Sequence, residues 1–418
     1  MYVGYAPQEL VVNNTRPLPR PLTVRMKRET IELDGITVTA PEQMLEVSDV
    51  PSQVAISPVE ITVLPNVGEV DIFRSLQLLP GISGVNEGSS GLYVRGGTPD
   101  QNLILFDGMT IYHVDHFFGF FSAFNADAIK DIRIYKGGFP AEFGGRTSSV
   151  VNLTGKTGDV NRVRYGLGLN LLSGHGVIEV PFSDKANFIL SARRSYTDVV
   201  RSTLYDKLFD FMSGSSQRPD IGSPGAVTDP NITMGEENPD FYFYDINSKL
   251  TLTPSSKDII ALSIYSGRDN LGQYQELTGS EFEYLGEQKP FKDPNAQLQI
   301  GQLTRWGNLG VSAKWSRKIH DRFYSHLLLS HTSYFSKYDL NRSFNSTSVL
   351  DSLNFFRGAT ISSVEDNELQ DLSVRLDNEW HLTNSHDLKI GLGFSLSLIH
   401  ISEPTRPLYI SYAVFCLK

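Results

Sequence analysis

The densest run of chemically capable side chains is Tyr112-His113-Val114-Asp115-His116, which passes directly into Phe117-Phe118-Gly119-Phe120-Phe121. Imidazole and carboxylate groups suit a divalent cation, so His113, Asp115 and His116 could hold one. Three donors so close on one loop seldom complete a coordination shell, and no metal site is assigned. Contact with a substrate and ordinary structural packing both stay open. The signatures of enzymes fail on residue order. No His precedes a Glu, which removes His-Glu-x-x-His, and Gly-x-Ser-x-Gly does not occur. Gly155-Lys156-Thr157 ends like a phosphate loop, but the glycine required five positions earlier is Val150. Neither catalysis nor a cofactor is expected.

Composition narrows the classes further. The 418 residues carry 37 Lys+Arg against 47 Asp+Glu, a net charge of −10. That balance argues against nucleic-acid binding, which needs clustered basic groups to neutralise phosphates. No stretch reaches the roughly 18 consecutive apolar residues of a spanning helix. Cys416 is the single cysteine, so an intramolecular disulfide framework is out. Met1-Tyr2-Val3-Gly4-Tyr5 has neither the basic nor the apolar region of a signal peptide, and the front of the protein is expected to be missing.

The elements that must position these groups fall into five stretches. Residues 1–30 place Arg16, Arg20, Arg25, Lys27 and Arg28 among Pro17, Pro19 and Pro21, an extended basic linker. In 31–41 the β-branched run Ile36-Thr37-Val38-Thr39 reads as a short strand that Pro41 ends. It is either a strand of the next domain or a free edge for strand addition from another protein. Residues 42–158 read as a mixed α/β unit. Ile72, Phe73, Leu76 and Leu79 make a helical stripe stopped by Pro80-Gly81, and short strands fall near 92–97, 102–108, 131–138 and 150–153.

From 159 to 395 the pattern becomes long alternating strands without helices. Nine are expected, near 162–172, 175–181, 187–198, 240–253, 258–267, 304–317, 322–338, 368–382 and 387–395. Short turns alternate with long polar loops at 199–239, 268–303 and 339–367. Several strands exceed the five or six residues usual in soluble sheets and match the roughly 9–11 that cross a bilayer. Tyr242, Tyr244, Trp315, Tyr334, Tyr338 and Trp380 suit interfacial girdles. The fold class expected is a mixed α/β domain followed by an antiparallel transmembrane β-barrel. Nine strands cannot close such a barrel, because a free edge in lipid leaves backbone groups unpaired, so it is expected to be incomplete. The stretch 396–418, with Leu398-Ile399-His400-Ile401-Ser402-Glu403-Pro404-Thr405-Arg406, resembles a translated transposase sequencing adapter and is expected to be non-native.

Several motifs occur in order: Leu78-Leu79-Pro80-Gly81-Ile82, Tyr93-Val94-Arg95-Gly96-Gly97, Leu105-Phe106-Asp107-Gly108, and Ile129 through Arg146 with Asp131-Ile132-Arg133-Ile134-Tyr135-Lys136-Gly137-Gly138 inside it. Together they resemble the plug domain of TonB-dependent outer-membrane receptors. Residues 1–30 resemble the end of the carboxypeptidase-regulatory-like domain that precedes the plug in many Bacteroidetes receptors. Ser191-Ala192-Arg193-Arg194-Ser195-Tyr196 resembles the third barrel strand of that group.

The resemblance implies a full barrel of about 22 strands in the outer membrane of a Gram-negative, Bacteroidetes-type cell. It implies import of an external ligand to the periplasm with energy delivered by TonB, and indirectly by ExbB and ExbD. Ile36, Thr37, Val38, Thr39 and Ala40 sit where the family places its TonB box. Tyr112, His113, Asp115 and His116 are the expected ligand contacts, and Arg95, Glu142 and Arg146 the expected plug–barrel contacts. Implied partners are TonB, outer-membrane lipid, a small or medium ligand whose class stays open among siderophore, cobalamin, glycan and peptide, and, in the glycan branch, a SusD-like lipoprotein. The rival reading is a surface ligand-binding or adhesive β-barrel protein without active transport.

Overall fold

The structure is a computed structural model that describes residues 46–47, 52–61, 70–84, 90–116, 119, 121–200, 202–207, 240–278, 297–350, 353–383 and 386–402. The segment Ile36–Ala40, residues 1–30 and residues 403–418 lie outside them. All described residues belong to one compact unit spanning 44–418.

The N-terminal part is a mixed α/β unit. Its main sheet contains β1 (Glu46–Val47), β2 (Gln53–Ile56), β5 (Asn102–Phe106), β6 (Met109–Thr110), β9 (Ile129–Tyr135) and β10 (Ser149–Gly155), in the spatial order β1-β2-β9-β10-β5-β6. Only β5 and β10 run parallel; the other pairs are antiparallel. Two small hairpins flank it, β3 (Ile82–Ser83) with β4 (Tyr93–Val94) and β7 (Asp115–His116) with β8 (Phe121–Ser122). The helices α1 (Pro58–Ile61) and α2 (Ile72–Gln77) are short. The α2 stripe behaves as its spacing requires: Ile72, Phe73 and Leu76 are fully buried, and Leu79 is nearly so. Asp71 caps α2 by accepting from the Arg74 N–H (2.9 Å), and its second oxygen accepts from the Ser122 N–H (2.8 Å). One carboxylate therefore ties the helix to β8.

The Asp107-Gly108 turn between β5 and β6 has φ of 47° and 84° at its two residues, the two-residue hairpin geometry that Asp-Gly favours. Glycine is also needed at 108 for space, because a Cβ there would run into Leu328 of the following sheet.

The second part is a single antiparallel sheet of nine strands paired in sequence order: β11 (Arg164–Leu169), β12 (Ser173–Ser183), β13 (Ala186–Ser195), β14 (Asp240–Ser255), β15 (Asp258–Thr278), β16 (Gln297–His320), β17 (Phe323–Leu350), β18 (Leu353–Thr383) and β19 (His386–Ser402). One face carries the buried polar residues and meets the α/β unit. The other is apolar and exposed, including Tyr165, Leu167, Leu169, Ile246, Leu262, Ile264, Leu309, Val311, Leu372 and Val374. This is the inverse of a water-soluble sheet and the arrangement of a membrane barrel wall. In β16 the outward positions run Arg305, Gly307, Leu309, Val311, Ala313, Trp315, Arg317. The uncharged band from Gly307 to Trp315 covers about 26 Å along the strand at ~3.3 Å per residue, close to the ~25 Å apolar band of outer-membrane barrels. Aromatics edge it. Phe323 and Trp380 meet edge to face near the short turns, and at the far edge Arg268 lies over Phe335 and Arg194 over Tyr242. The fold is an α/β domain set against an incomplete antiparallel transmembrane β-barrel.

The expected strands appear in number and order, but not in extent. The described parts of the loops expected at 268–303 and 339–367 are strand: β15 runs to Thr278, β16 starts at Gln297, and β17 and β18 pair from Phe323↔Trp380 to Leu350↔Leu353. The cause is visible in the sequence. Beyond the lipid band both faces are wet, so Asp339 to Asn345 shows no alternation although the backbone stays extended. The pairing of β19 also continues past Ser395 to Ser402, opposite Asp366.

Candidate functional site

The α/β unit is fastened to the polar face of the sheet at three levels. Nearest the short turns, the Asp107 carboxylate collects three donors. The Gly155 N–H (3.1 Å) and the Lys249 ammonium (2.9 Å) donate to Oδ1, and the Ser263 hydroxyl (2.9 Å) donates to Oδ2. Lys249 also donates to the Gly155 carbonyl (3.1 Å), and Ser312 donates to the Asp107 carbonyl (3.0 Å). Both charged side chains are about nine-tenths buried. Their attraction is therefore poorly screened, and removal of either strands the other.

At mid-height, Tyr265 of β15 reaches into the apolar core of the α/β unit. Its ring lies 5.7 Å from those of Phe106 and Phe124, and its hydroxyl donates to the Ala123 carbonyl (2.8 Å). A wall residue is thus part of the α/β core, with its one polar atom satisfied. Beside it Asn308 of β16 imitates a strand partner. Its Nδ2 donates to the His113 carbonyl (2.7 Å) while Oδ1 accepts from the Tyr112 and His113 N–H groups (3.3 Å each).

The third level is a buried charge quartet. His116 bonds through Nδ1 to Asp269 of β15, and its Nε2 lies 3.6 Å from Asp245 of β14. Arg193 of β13 pairs with Asp245 through Nε (2.6 Å) and donates from Nη2 to the Ser122 carbonyl (2.7 Å). Phe243 packs as a plate against both cations, stacked on the imidazole at 4.4 Å and lying 5.2 Å under the guanidinium. Gly267 leaves the room for this, since a Cβ there would meet the Tyr265 hydroxyl at 2.6 Å and His116 Cε1 at 3.8 Å. Burial alone would lower the His116 pKa. The Asp269 and Asp245 carboxylates outweigh it and push the value up to about 9. Protonated, His116 makes the quartet neutral.

The expected ligand contacts divide. Tyr112, His113 and Asp115 keep partial exposure, with His113 Nε2 3.3 Å from Asp115 Oδ1 and the His113 ring between Trp306 (5.7 Å) and Tyr334 (6.2 Å). His116 is 1% exposed and turned to the wall. No group of three or more His, Cys, Asp or Glu among the described residues could hold a metal ion. Glu142 lies 3.8 Å from Arg375 of β18. Arg95 and Arg146 are exposed on turns of the α/β unit and form no ion pair with the wall among the described residues. Sequence reasoning missed Asp107, Arg193, Asp245, Lys249, Asp269 and Asn308. The signal was present on the polar faces: Asp245, Asn247, Lys249 and Thr251 alternate with outward Ile246, Ser248 and Leu250. Charges in mid-strand on a lumen face need partners, which a neighbouring strand or the α/β unit must supply.

Residues 46–151 match the family model described as TonB-dependent Receptor Plug Domain. Comparison with curated proteins gives no match. Among solved structures, the siderophore receptor PirA from Pseudomonas aeruginosa is similar at 13% identity and a TM-score of 0.45, covering 85% of this chain and 58% of its own. The outer membrane transporter YddB from Escherichia coli follows at 11% and 0.40, covering 86% and 60%. The alcaligin outer membrane receptor FauA from Bordetella pertussis stands at 12% and 0.39, covering 87% and 57%. The chain thus spans less than two thirds of the length of these structures. It carries a TonB-dependent receptor plug domain set against nine strands of an antiparallel barrel wall.

Proposed function

We propose that the chain belongs to an outer-membrane receptor that binds an external ligand and imports it to the periplasm with energy transmitted by TonB. The observation that carries this reading is the plug match over 46–151, on a domain seated against the polar face of a wall whose other face is apolar. Such a stopper must hold firmly and yet be displaceable, and polar fasteners meet both needs because water can replace each bond as it opens. Within this reading the domains are 1–30 as a remnant of a carboxypeptidase-regulatory-like domain with its linker, 31–41 as the TonB-box region, 42–158 as the plug, 159–395 as barrel wall and 396–418 as a non-native tail. Ile36–Ala40 is the segment that pairs with a TonB strand through main-chain hydrogen bonds. Tyr112, His113 and Asp115 face the ligand. A Bacteroidetes origin belongs to the same proposal, and a SusD-like lipoprotein partner belongs to it only for the glycan-importing branch, whose plug-start pattern this sequence lacks.

The test is a Val38→Pro change in the full-length protein, which removes a ladder donor. Ligand binding is expected to persist while TonB-dependent uptake is lost. Uptake by the variant equal to that of the wild type refutes the box assignment, and wild-type uptake equal in cells with and without TonB would instead identify a binding protein without active transport.

A further inference from the structure

We propose that the plug parts from the wall along β13 and β14, and that this seam is the wet passage by which a polar solute moves past the plug. The proposal rests on the transport reading above. The two sides of the plug differ in how fully the wall's inward polar groups are partnered. Toward β15–β17, Tyr265 is inserted in the plug core, Met109 packs against Gly310, Leu328 covers Gly108, and Asp269 holds His116. The inward polar groups of that side, Ser263, Asn308 and Ser312, bond directly to plug atoms.

Toward β13–β14 the wall presents a polar ladder of Asn187, Asp245, Asn247 and Thr251, each more than nine-tenths buried. Asn187 Oδ1, Asp245 Oδ1, both polar atoms of the Asn247 amide and Thr251 Oγ1 have no hydrogen-bond partner within the protein. Buried amides and hydroxyls without protein partners are served by water or by a polar solute. Between Asn247 and Lys249 of β14 and the plug residues Gly155 and Lys156 lies a cavity of about 10 Å³, room for roughly one water molecule.

Separation along the two sides then has unequal consequences. Opening at β15–β17 exposes apolar surface and pulls Tyr265 out of the core, with nothing to compensate. Opening at β13–β14 parts Phe243 from Phe121 and His116, and exchanges the Lys249 bonds to Asp107 and Gly155 and the Arg193 bond to Ser122 for bonds to water. The ladder also offers a moving solute successive hydrogen-bonding groups from Thr251 to Asp245, as a path for an oxygen- or nitrogen-rich molecule requires.

The test is thiol labelling in the full-length protein, in its own membrane, with native cysteines replaced by serine as background and a charged methanethiosulfonate as probe. Asn247→Cys and Thr251→Cys report on the seam. Ser330→Cys and Thr332→Cys, buried on β17, report on the other side. The seam thiols are expected to label at least tenfold faster than those on β17, and tenfold faster again in cells with TonB than in cells without. Equal labelling at the two sides, or faster labelling on β17, overturns the proposal. Faster labelling at the seam with no response to TonB keeps the wet seam and overturns the transport reading instead. Should Asn247→Cys fail to accumulate, Thr251→Cys carries the same comparison.

Discussion

The His116 quartet makes the hold on the plug pH-dependent in a direction that can be worked out. The charged groups facing the imidazole are Asp269 from β15, Asp245 from β14 and Arg193 from β13, with Asp115 beside it on its own strand and the uncharged Tyr265 and Phe243 rings closing the site. Folded, His116 titrates at about 9 against an ordinary 6.5. A raised folded-state value stabilises the protonated form, so the contribution is complete below pH 6.5 and fades as pH rises through about 9. The displacement corresponds to about 3 kcal/mol at ~1.36 kcal/mol per pH unit. The assay is urea-induced release of the plug, followed by exposure of a reporter thiol, at pH 6 and pH 10. With a urea slope of roughly 1–3 kcal/mol/M, the wild-type midpoint should fall by about 1–3 M at the higher pH. His116→Gln removes the titrating group, so its midpoint should start lower at pH 6 and lack that part of the pH response. Side chains that titrate elsewhere affect both proteins, and the difference between them isolates His116. A wild-type midpoint that does not move, or a variant that keeps the full slope, refutes the reasoning.

The other fasteners and the lipid face give further expectations. Lys249→Met leaves the Asp107 carboxylate buried without its cation and should destabilise plug seating by about 3–5 kcal/mol; the double change with Asp107→Asn should recover much of the loss in the same urea assay. Val311 lies outward near the middle of the uncharged band of β16. Val311→Arg should lower the stability of the membrane-inserted protein by about 2–4 kcal/mol, read from folding titrations in lipid vesicles. A negligible effect would mean that this face does not meet lipid.

What the sequence makes legible follows from where one face is oily and the other wet. Within the lipid band the two-residue period is forced, and strands such as Asp240–Ser255 can be read directly from Tyr242, Tyr244, Ile246, Leu250 and Leu252. The α2 stripe is legible for the same reason with a different period. Past the band that constraint vanishes, and Asp339 to Asn345 gives no sign of its pairing with Gly358 to Val364. The fasteners are hidden for another reason. Asp107 and Lys249 stand 142 positions apart, and nothing local in either neighbourhood names the other. His116 is the instructive residue: its polar neighbours suggested an exposed contact, whereas Phe243 of β14 stacks on it and its charged partners come from the wall.

The hairpin of β17 and β18 extends well above the aromatic edge of the band. From Ser336 to Leu350 it continues about 50 Å at ~3.3 Å per residue, comparable to the ~40–45 Å thickness of a whole bilayer with its headgroups. Anything bulky that approaches from that side collides with this fin before it touches the membrane, whereas small molecules slip around it. On the proposed transport reading, an antibody or a phage fibre arriving from that side would take its footing on the fin, far from the α/β unit below, and sequence variation there would alter that grip without touching the fasteners.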